Sequence, residues 1–276
     1  MVDRQDMGED AGDAPEEQIK TAKPGMKNAF ETLMSPKRKR NPSSPPPKTS
    51  DPKLRLNLLH GRDALGAYIA APATFPTTRV LSHDADFVII RDLYPKSSVH
   101  LLLLPRDASK TKLHPFDAFA DAAFRALVLP RIADARRLVA SELRRVHGAG
   151  STAEQARNAA MERGDDVLPP GRDWEAEVMT GVHAVPSMSH LHIHILSVDR
   201  HSDAVKHRKH YNSFATRFLV PVEDMPLAAG DERRHPGRAG FLNEDLRCWR
   251  CGRNFGNKFA RLKEHLQEEW ETWREV

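Results

Sequence analysis

Cysteine is scarce in this chain, and its position excludes one class of fold. The 276 residues include two cysteines, both in the segment Cys248-Trp-Arg-Cys251. Such a pair cannot link distant segments, and a disulfide across so short a loop would be strained. The cysteines therefore favour a reducing compartment and a metal-binding turn over a disulfide framework.

Long apolar runs are missing as well. No run approaches the roughly 18 to 20 residues that a membrane span requires, and the acidic N-terminus lacks the basic-then-apolar order of a signal peptide. Lys and Arg number 42 against 38 Asp and Glu, so the net charge of +4 names no partner by itself. The length and the 39% of hydrophobic residues allow one or two compact domains. Without a membrane span or a signal peptide, we expect the protein to be soluble and intracellular.

The N-terminal 53 residues are poor in core-forming side chains. They hold eight of the 20 prolines and one aromatic residue, Phe30, so residues 1–53 are predicted to be a disordered tail. Its basic cluster at residues 36–40 is typical of a nuclear import signal, which predicts an import receptor as partner, although a solvated charge run has the same composition. Residues 28–34 place Phe30, Leu33 and Met34 on one helical face that could dock in a partner's groove.

Residues from about 54 onward show the periodicity of folded structure. The pattern predicts a short helix over 63–69, a hairpin of strands 86–91 and 99–104, and one or two helices over 116–146 that Pro130 interrupts. Residues 148–172 have the composition of a loop. Two further strands are predicted over 177–182 and 191–197, and an amphipathic helix over 258–274.

A cluster of histidines lies in the last predicted strand, Ser189-His-Leu-His-Ile-His-Ile-Leu-Ser197. Because strand side chains alternate between faces, His190, His192 and His194 are expected to share one face. An ordinary polar face and a zinc site are alternative interpretations of three imidazoles. Their company favours phosphorus chemistry, since the upstream hairpin supplies Asp92, Lys96 and His100, and Ser187 precedes His192 by five residues.

These residues resemble the histidine-triad nucleotide-binding family over about residues 54–215. The similarity rests on Phe87-x4-Asp92-x2-Pro95-x4-His100-x-Leu-x2-Pro105 and on the histidine strand. The segments Tyr94-Pro-Lys96, Gly181-Val-His183-Ala-Val-Pro-Ser187 and His210-Tyr-Asn-Ser-Phe214 are similar to the aprataxin branch, which comprises DNA deadenylases. The resemblance implies an α+β histidine-triad domain over 54–220, with a mainly antiparallel sheet flanked by helices, and a zinc-finger module over 221–276 packed on it.

The resemblance also assigns roles to the histidines. It implies that His192 is the nucleophile, with one ring nitrogen held by a main-chain carbonyl so that the other attacks the α-phosphorus of an adenylate. His190 completes the triad, and His100 supports it from the neighbouring strand. His183 would stabilise or protonate the departing phosphate, or it is a turn histidine without a task.

Other implied roles concern the nucleotide. Ser187 and His194 would hydrogen-bond the phosphate oxygens, and Asp92 would accept bonds from both ribose hydroxyls. Lys96 would be a charge partner for phosphate or a strut for its loop. The chemical step would need no metal, because positioning and cationic stabilisation carry this type of transfer.

The C-terminal segment has the outline of a zinc finger. Cys248 and Cys251 form the turn, and His265 and Glu269 lie four residues apart on one face of the predicted helix. A carboxylate can complete a tetrahedral site, and a Cys2HisGlu set is similar to that of fungal aprataxins. The sequence therefore predicts one structural zinc ion, with Glu268 as the alternative fourth ligand.

Basic residues near the finger and after the triad suggest nucleic acid as partner. The finger carries Arg250 and Lys258 among other basic residues, with aromatic residues interleaved. Residues 206–210 form a second basic cluster, and the resemblance places contacts to a DNA 5′ end at Lys206, His210 and Ser213. A merely solvated charged loop is the alternative. Phosphate contacts would carry no sequence information.

Together these features predict a monomeric nuclear repair enzyme that removes AMP from 5′-adenylated DNA nicks or breaks, with AMP as product and repair proteins as possible partners of the tail. Two alternatives remain at this stage. One is a histidine-triad hydrolase of phosphoramidates or dinucleoside polyphosphates, which the zinc module and basic loop disfavour. The other is a non-catalytic zinc-finger DNA adaptor, which the intact triad with Asp92, His183 and Ser187 disfavours.

Overall fold

One antiparallel sheet, buried on both faces, organises the fold. The computed structural model describes residues 61–276, so the predicted tail, its basic cluster at 36–40 and the helical segment at 28–34 lie outside the described residues. The six strands of the described part are β1 Val80–His83, β2 Phe87–Arg91, β3 His100–Pro105, β4 Val178–His183, β5 Ile193–Ser197 and β6 Leu219–Pro221. Their spatial order is β1-β2-β3-β5-β4-β6, and every neighbouring pair is antiparallel. The predicted hairpin and the mainly antiparallel sheet are confirmed.

Seven α-helices accompany this sheet within residues 61–276. They are α1 Leu65–Ala70, α2 Pro115–Ala118, α3 Ala122–His147, α4 Thr152–Arg163, α5 Arg208–Ala215, α6 Pro236–Ala239 and α7 Phe259–Glu275. The short helix predicted near residue 63 and the amphipathic C-terminal helix are confirmed as α1 and α7. No helix of the described part combines the length and apolarity needed to cross a bilayer.

Alternation along the strands separates two cores. Leu101, Leu103, Ile193 and Ile195 pack with the buried side of α3 in the larger cluster. Val88, Ile90, Leu102 and Leu104 turn to the opposite face, where they meet Leu65 and Tyr68 of α1. His100 and His194 have the same parity as this second set, so they too face away from α3.

The expected interruption at Pro130 is wrong, because α3 runs unbroken through that residue. Proline removes one N–H and leaves the carbonyl of Ala126 without its helical donor. Both residues are exposed, so water can satisfy that carbonyl on the outer side of the helix. Val128, Ile132 and Val139 on the inner side are buried against the sheet and hold the helix together.

The expected loop over 148–172 is also wrong in part, since α4 occupies its middle. Gly164 ends this helix in the left-handed conformation, with φ of 74°. Only Glu154 and Ala160 of α4 are buried. The helix therefore lacks the apolar periodicity from which helices are predicted, and its alanines and charged residues resemble a polar connection.

Candidate active site

Three neighbouring strands bring histidines to one face of the sheet. In the strand register, Gly181 of β4 and Leu102 of β3 both lie opposite His194 of β5. His100 and His183, two residues from these positions, therefore share the face of His194. The ring of His194 is 5.1 Å from that of His100 and 4.4 Å from that of His183, measured between centroids.

A chain of hydrogen bonds fixes the tautomer of His194. The main-chain N–H of Lys96 donates to Nδ1 of His100 at 3.1 Å, so Nδ1 is unprotonated and the proton lies on Nε2. This Nε2–H donates to Nδ1 of His194 at 2.9 Å. His194 consequently carries its own proton on Nε2, which is buried and has no partner among the described residues. It is a buried donor that is free to bind a ligand.

His192 is held in the opposite tautomer. Its Nδ1 lies 2.7 Å from the main-chain carbonyl of His190, which can only accept a hydrogen bond. The proton therefore sits on Nδ1 and the lone pair on Nε2. The ring centroid of His192 is 4.9 Å from that of His194, so an imidazole with a free lone pair neighbours an imidazole with a free N–H.

Burial keeps this histidine cluster neutral. It is the main cause that lowers the pKa of His100 to about 4 and that of His183 to about 3, and it lowers the pKa of His192 and His194 as well. The mutual repulsion of charged imidazoles acts in the same direction. At neutral pH, the lone pair of His192 is thus available for attack rather than occupied by a proton.

Phe214 of α5 forms an aromatic wall beside the histidines, a role that the sequence pattern does not predict. Its ring lies edge-on to three of the imidazoles, at 5.4 Å from His100, 4.7 Å from His183 and 5.0 Å from His194. Phe218 closes the far side of His183 at 5.3 Å. The spacing of Phe214 within its helix carries no signal of this contact, because the contact crosses elements distant in sequence.

The loop between β2 and β3 brings the predicted nucleotide residues to the edge of the cluster. Asp92 accepts a hydrogen bond from the N–H of Tyr94 at 2.8 Å, and its other oxygen lies 3.6 Å from Nδ1 of His100. Lys96 is partly buried, and desolvation lowers its pKa, as does the nearby charge of Lys206. A polar loop with a carboxylate and an ammonium therefore borders the imidazoles.

Asp92, His100 and His194 could also offer ligand atoms to a metal ion, since these atoms lie within 4.8 Å of one another. His100 and His194 already use the facing nitrogens in their mutual hydrogen bond, which a metal ion would have to break. The tautomers that these hydrogen bonds imply suit a hydrogen-bonded phosphate better than a metal ion, which disfavours the zinc interpretation of the triad.

The remaining triad histidine occupies a separate position. His190 is buried beside α1, and a Cβ atom added at Gly66 would lie 2.8 Å from its Cε1 and Nε2 atoms. Glycine at position 66 therefore permits this close approach. Ser187, in the segment between β4 and β5, is exposed.

The residues predicted to contact DNA lie in two places. His210 and Ser213 are on α5, and burial followed by the charge of His207 lowers the pKa of His210 to about 4. Lys206 precedes that helix and acts electrostatically on Lys96. Ser213 donates its hydroxyl hydrogen to the carbonyl of His210 at 3.1 Å. This group is contiguous with the histidine cluster.

The predicted zinc ligands come together at the start of the finger and on α7. Ligand atoms of Cys248, Cys251, His265 and Glu269 all lie within 4.8 Å of one another. Nε2 of His265 is 3.1 Å from both Sγ of Cys251 and Oε1 of Glu269. Glu268 instead approaches the other ring nitrogen at 3.5 Å, with its side chain 76% exposed. Two sulfurs, one imidazole and one carboxylate oxygen are a donor set suited to tetrahedral zinc.

The two remaining predicted DNA residues surround this centre. Arg250 donates to Oε2 of Glu269 at 3.0 Å, which orients the ligand carboxylate from behind. Lys258 immediately precedes α7 and is exposed. The finger is fastened to α5 through Tyr211, whose hydroxyl donates to the carbonyl of Arg247 at 2.7 Å.

Comparison with known proteins agrees with this geometry. The family model described as HIT domain matches residues 75–201, and the one described as C2HE / C2H2 / C2HC zinc-binding finger matches residues 215–272. The aprataxin-like protein of Schizosaccharomyces pombe is 33% identical over 248 residues, which cover 89% of this chain and 94% of that protein. The chain belongs to the aprataxin family. The histidine-triad fold with a C-terminal zinc finger is thereby confirmed.

Further relatives support the same assignment. The aprataxin-like protein of Saccharomyces cerevisiae is 35% identical, with 78% of this chain and 98% of that protein covered. A crystal structure of the aprataxin ortholog Hnt3 from Schizosaccharomyces pombe is 33% identical, with a TM-score of 0.60 over 77% of this chain and 94% of that chain. As an aprataxin family member, the chain is a DNA-repair hydrolase that acts on adenylated DNA, and it carries a zinc-binding finger.

Proposed function

We propose that the chain removes AMP from 5′-adenylated DNA ends in two steps, with His192 as the nucleophile. Nε2 of His192 forms a bond to the α-phosphorus while the phosphorus–oxygen bond to the DNA 5′-phosphate breaks. Water then cleaves the phosphorus–nitrogen bond and releases AMP. The observation that carries the proposal is the pair of hydrogen bonds from which opposite tautomers follow, with a lone pair on Nε2 of His192 and an N–H on Nε2 of the neighbouring His194.

The neighbouring residues fit the other requirements of the reaction. The N–H of His194 and the hydroxyl of Ser187 stabilise the phosphate oxygens as negative charge develops, and no metal is needed for this. Asp92 accepts hydrogen bonds from the ribose hydroxyls, and Lys96 balances the phosphate charge. His183 faces the departing 5′-phosphate. His190 supplies the main-chain carbonyl that orients the nucleophile.

DNA is the proposed partner, held at its phosphates by two groups of residues. Lys206, His210 and Ser213 are next to the histidine cluster, and Lys258 extends the positive surface at the finger. Arg250 contacts DNA only if its guanidinium breaks its hydrogen bond to Glu269 or binds both groups at once. A crystal structure of the aprataxin ortholog Hnt3 in complex with DNA supports this partner. It is 32% identical to this chain, with a TM-score of 0.60 over 77% of this chain and 96% of that chain.

The decisive experiment compares two substrates under the same conditions. The full chain is incubated with 5′-adenylated nicked duplex DNA and with a dinucleoside polyphosphate, and the initial rates are measured. We expect the adenylated DNA to be hydrolysed much faster, with AMP and 5′-phosphate DNA as products. A preference for the small molecule would favour the small-molecule hydrolase, and DNA binding without turnover of either substrate would favour the adaptor.

The finer predictions about the cellular setting remain proposals. Family membership in a group of DNA-repair proteins supports a nuclear location, and the basic cluster at 36–40 is the proposed import signal. Replacing its four basic residues in a fluorescent fusion should exclude the protein from the nucleus. We further propose that the protein is a monomer with a catalytic domain over 54–220 and a finger over 221–276. Light scattering of the purified chain tests the oligomeric state.

A further inference from the structure

The loop that carries Asp92 and Lys96 depends on its neighbours for its conformation. This nucleotide loop (92–99) connects β2 to β3, and Leu93, Tyr94 and Ser98 within it are exposed. Few of its side chains are therefore fixed by burial. Hydrogen bonds within the loop, from the N–H of Tyr94 to Asp92 and from the ammonium of Lys96 to the carbonyl of Tyr94, fix these side chains relative to the loop. Contacts from other segments are needed to hold the loop itself beside the histidines.

Segment 199–202, which follows β5, holds the nucleotide loop at two points. The carboxylate of Asp199, fully buried, accepts hydrogen bonds from the N–H of Ser98 at 3.0 Å and from the hydroxyl of Ser197 at 2.8 Å. Ser202 donates its hydroxyl hydrogen to the carbonyl of Pro95 at 2.6 Å. A buried carboxylate is costly unless its hydrogen bonds are made, so Asp199 resists displacement of the loop.

The same segment also reaches the aromatic wall of the site. Arg200 is in the left-handed region with φ of 47°, a conformation that a non-glycine residue adopts at a cost. Its Nε–H donates to the carbonyl of Phe214 at 3.0 Å. Segment 199–202 thus contacts both the nucleotide loop and α5, the helix whose Phe214 packs against the histidines.

Helix α7 of the finger contacts this arrangement directly. Nε1–H of Trp270 donates to the hydroxyl of Ser98 in the nucleotide loop at 3.0 Å. The indole stacks on His201, with ring centroids 4.5 Å apart and planes inclined by 19°. Gln267, one turn earlier, pairs with Nε2 of His201 at 2.7 Å. The helix that supplies two zinc ligands therefore also supports the nucleotide loop.

We propose that α7 positions the nucleotide loop, so that the zinc-finger module contributes to recognition of AMP even when no DNA is bound. Trp270 is the positioning residue, and it acts through Ser98 and His201 on Asp92 and Lys96. The inference rests on the proposed function, because it takes those two residues to bind the AMP part of the substrate. A finger that only grips DNA would have no effect on free AMP.

Titration of the full zinc-loaded chain with AMP, without DNA, tests this by calorimetry. Trp270→Phe keeps an aromatic ring over His201 but removes the N–H donor, and Ser98→Ala removes the acceptor. One neutral hydrogen bond corresponds to roughly two- to tenfold in affinity, so each substitution should raise the Kd for AMP within that range. Because both remove the same bond, the double variant should be no worse than the weaker-binding single variant.

Trp249→Phe is the matched control in the same module. Nε1 of Trp249 is buried without a partner among the described residues, so the substitution removes no hydrogen bond there. We expect its Kd for AMP and its zinc content to equal those of the wild type. With adenylated DNA, Trp270→Phe should raise KM while kcat is nearly kept, whereas a general loss of structure would lower both kcat and zinc content.

The outcomes separate the two proposals. An unchanged Kd in Trp270→Phe and Ser98→Ala, or additive losses in the double variant, would overturn the positioning role and leave the proposed function intact. Failure of the wild-type chain to bind AMP or to release it from adenylated DNA would overturn the proposed function itself, and the positioning role with it.

Discussion

His100 is expected to control the rate of the reaction although it acts on the phosphate only through His194. Its Nε2 atom, 2.9 Å from Nδ1 of His194, keeps the proton of His194 on the nitrogen that we propose to bind the phosphate. His100→Phe fills the same space without an N–H donor. Nδ1 of His194 is then a buried acceptor without a partner, and the ring is free to turn or to change tautomer.

The size of the effect follows from these contacts. Leaving one buried polar atom unpaired costs about 1–3 kcal/mol, which is roughly five- to 150-fold in rate. Complete loss of one donor to a developing oxyanion costs about 10²- to 10³-fold. We therefore expect kcat of His100→Phe to fall roughly 10²-fold. His100→Gln, whose amide N–H can still donate to His194, should recover at least about fivefold of that loss.

Single-turnover hydrolysis of 5′-adenylated nicked DNA measures this rate without interference from product release. Melting temperature and zinc content of each variant serve as controls for folding. A His100→Phe enzyme within about twofold of the wild-type rate would refute the tautomer relay. So would a His100→Gln enzyme as slow as His100→Phe, since the relay requires only the donor.

Three further outcomes follow from the site. His192→Ala should abolish turnover and keep DNA affinity within about twofold, and near-normal activity would remove His192 as nucleophile. Chelation of zinc should lower the melting temperature. Glu269→Gln should lower the zinc content more than Glu268→Gln does, and equal zinc content in the two variants would contradict the assignment of Glu269 as the ligand. The folded-state pKa values of His100 and His183 lie below the ordinary 6.5, so the unfolded chain binds more protons at these residues than the folded chain does. The free energy of unfolding should therefore fall as the pH is lowered from 7 to 5, by roughly 1.5–2 kcal/mol per histidine. Equal urea stability at the two pH values would contradict this.

The elements that carry strong local patterns were predictable from the sequence. The hairpin of β2 and β3, the histidine strand and α7 all follow from the alternation or spacing of apolar residues. The zinc ligands follow from the spacing of Cys248, Cys251, His265 and Glu269, since four donors within one short segment are brought together by local geometry.

The features that were missed depend on packing between distant segments. A proline in a helix pattern predicts a break, but Pro130 lies on the exposed side of α3, where the lost hydrogen bond is inexpensive. Helix α4 buries only Glu154 and Ala160 and so leaves no periodic signal. Phe214, Asp199 and Trp270 were not recognised as site residues, because their partners lie far away in sequence. Phe214 belongs to the segment 210–214 that resembles the aprataxin branch, but that segment does not show which side chains Phe214 contacts.

The two tautomers of the site rest on supports of different kinds, and this makes them unequally vulnerable to mutation. Nδ1–H of His192 is held by the main-chain oxygen of residue 190, which every amino acid possesses, so no point substitution at that position can delete it. The proton of His194 is held by a side chain, that of His100, which a single codon change removes. Inactivating substitutions should therefore be found at position 100 more often than at position 190, where the backbone preserves the nucleophile as long as Gly66 leaves room for the side chain.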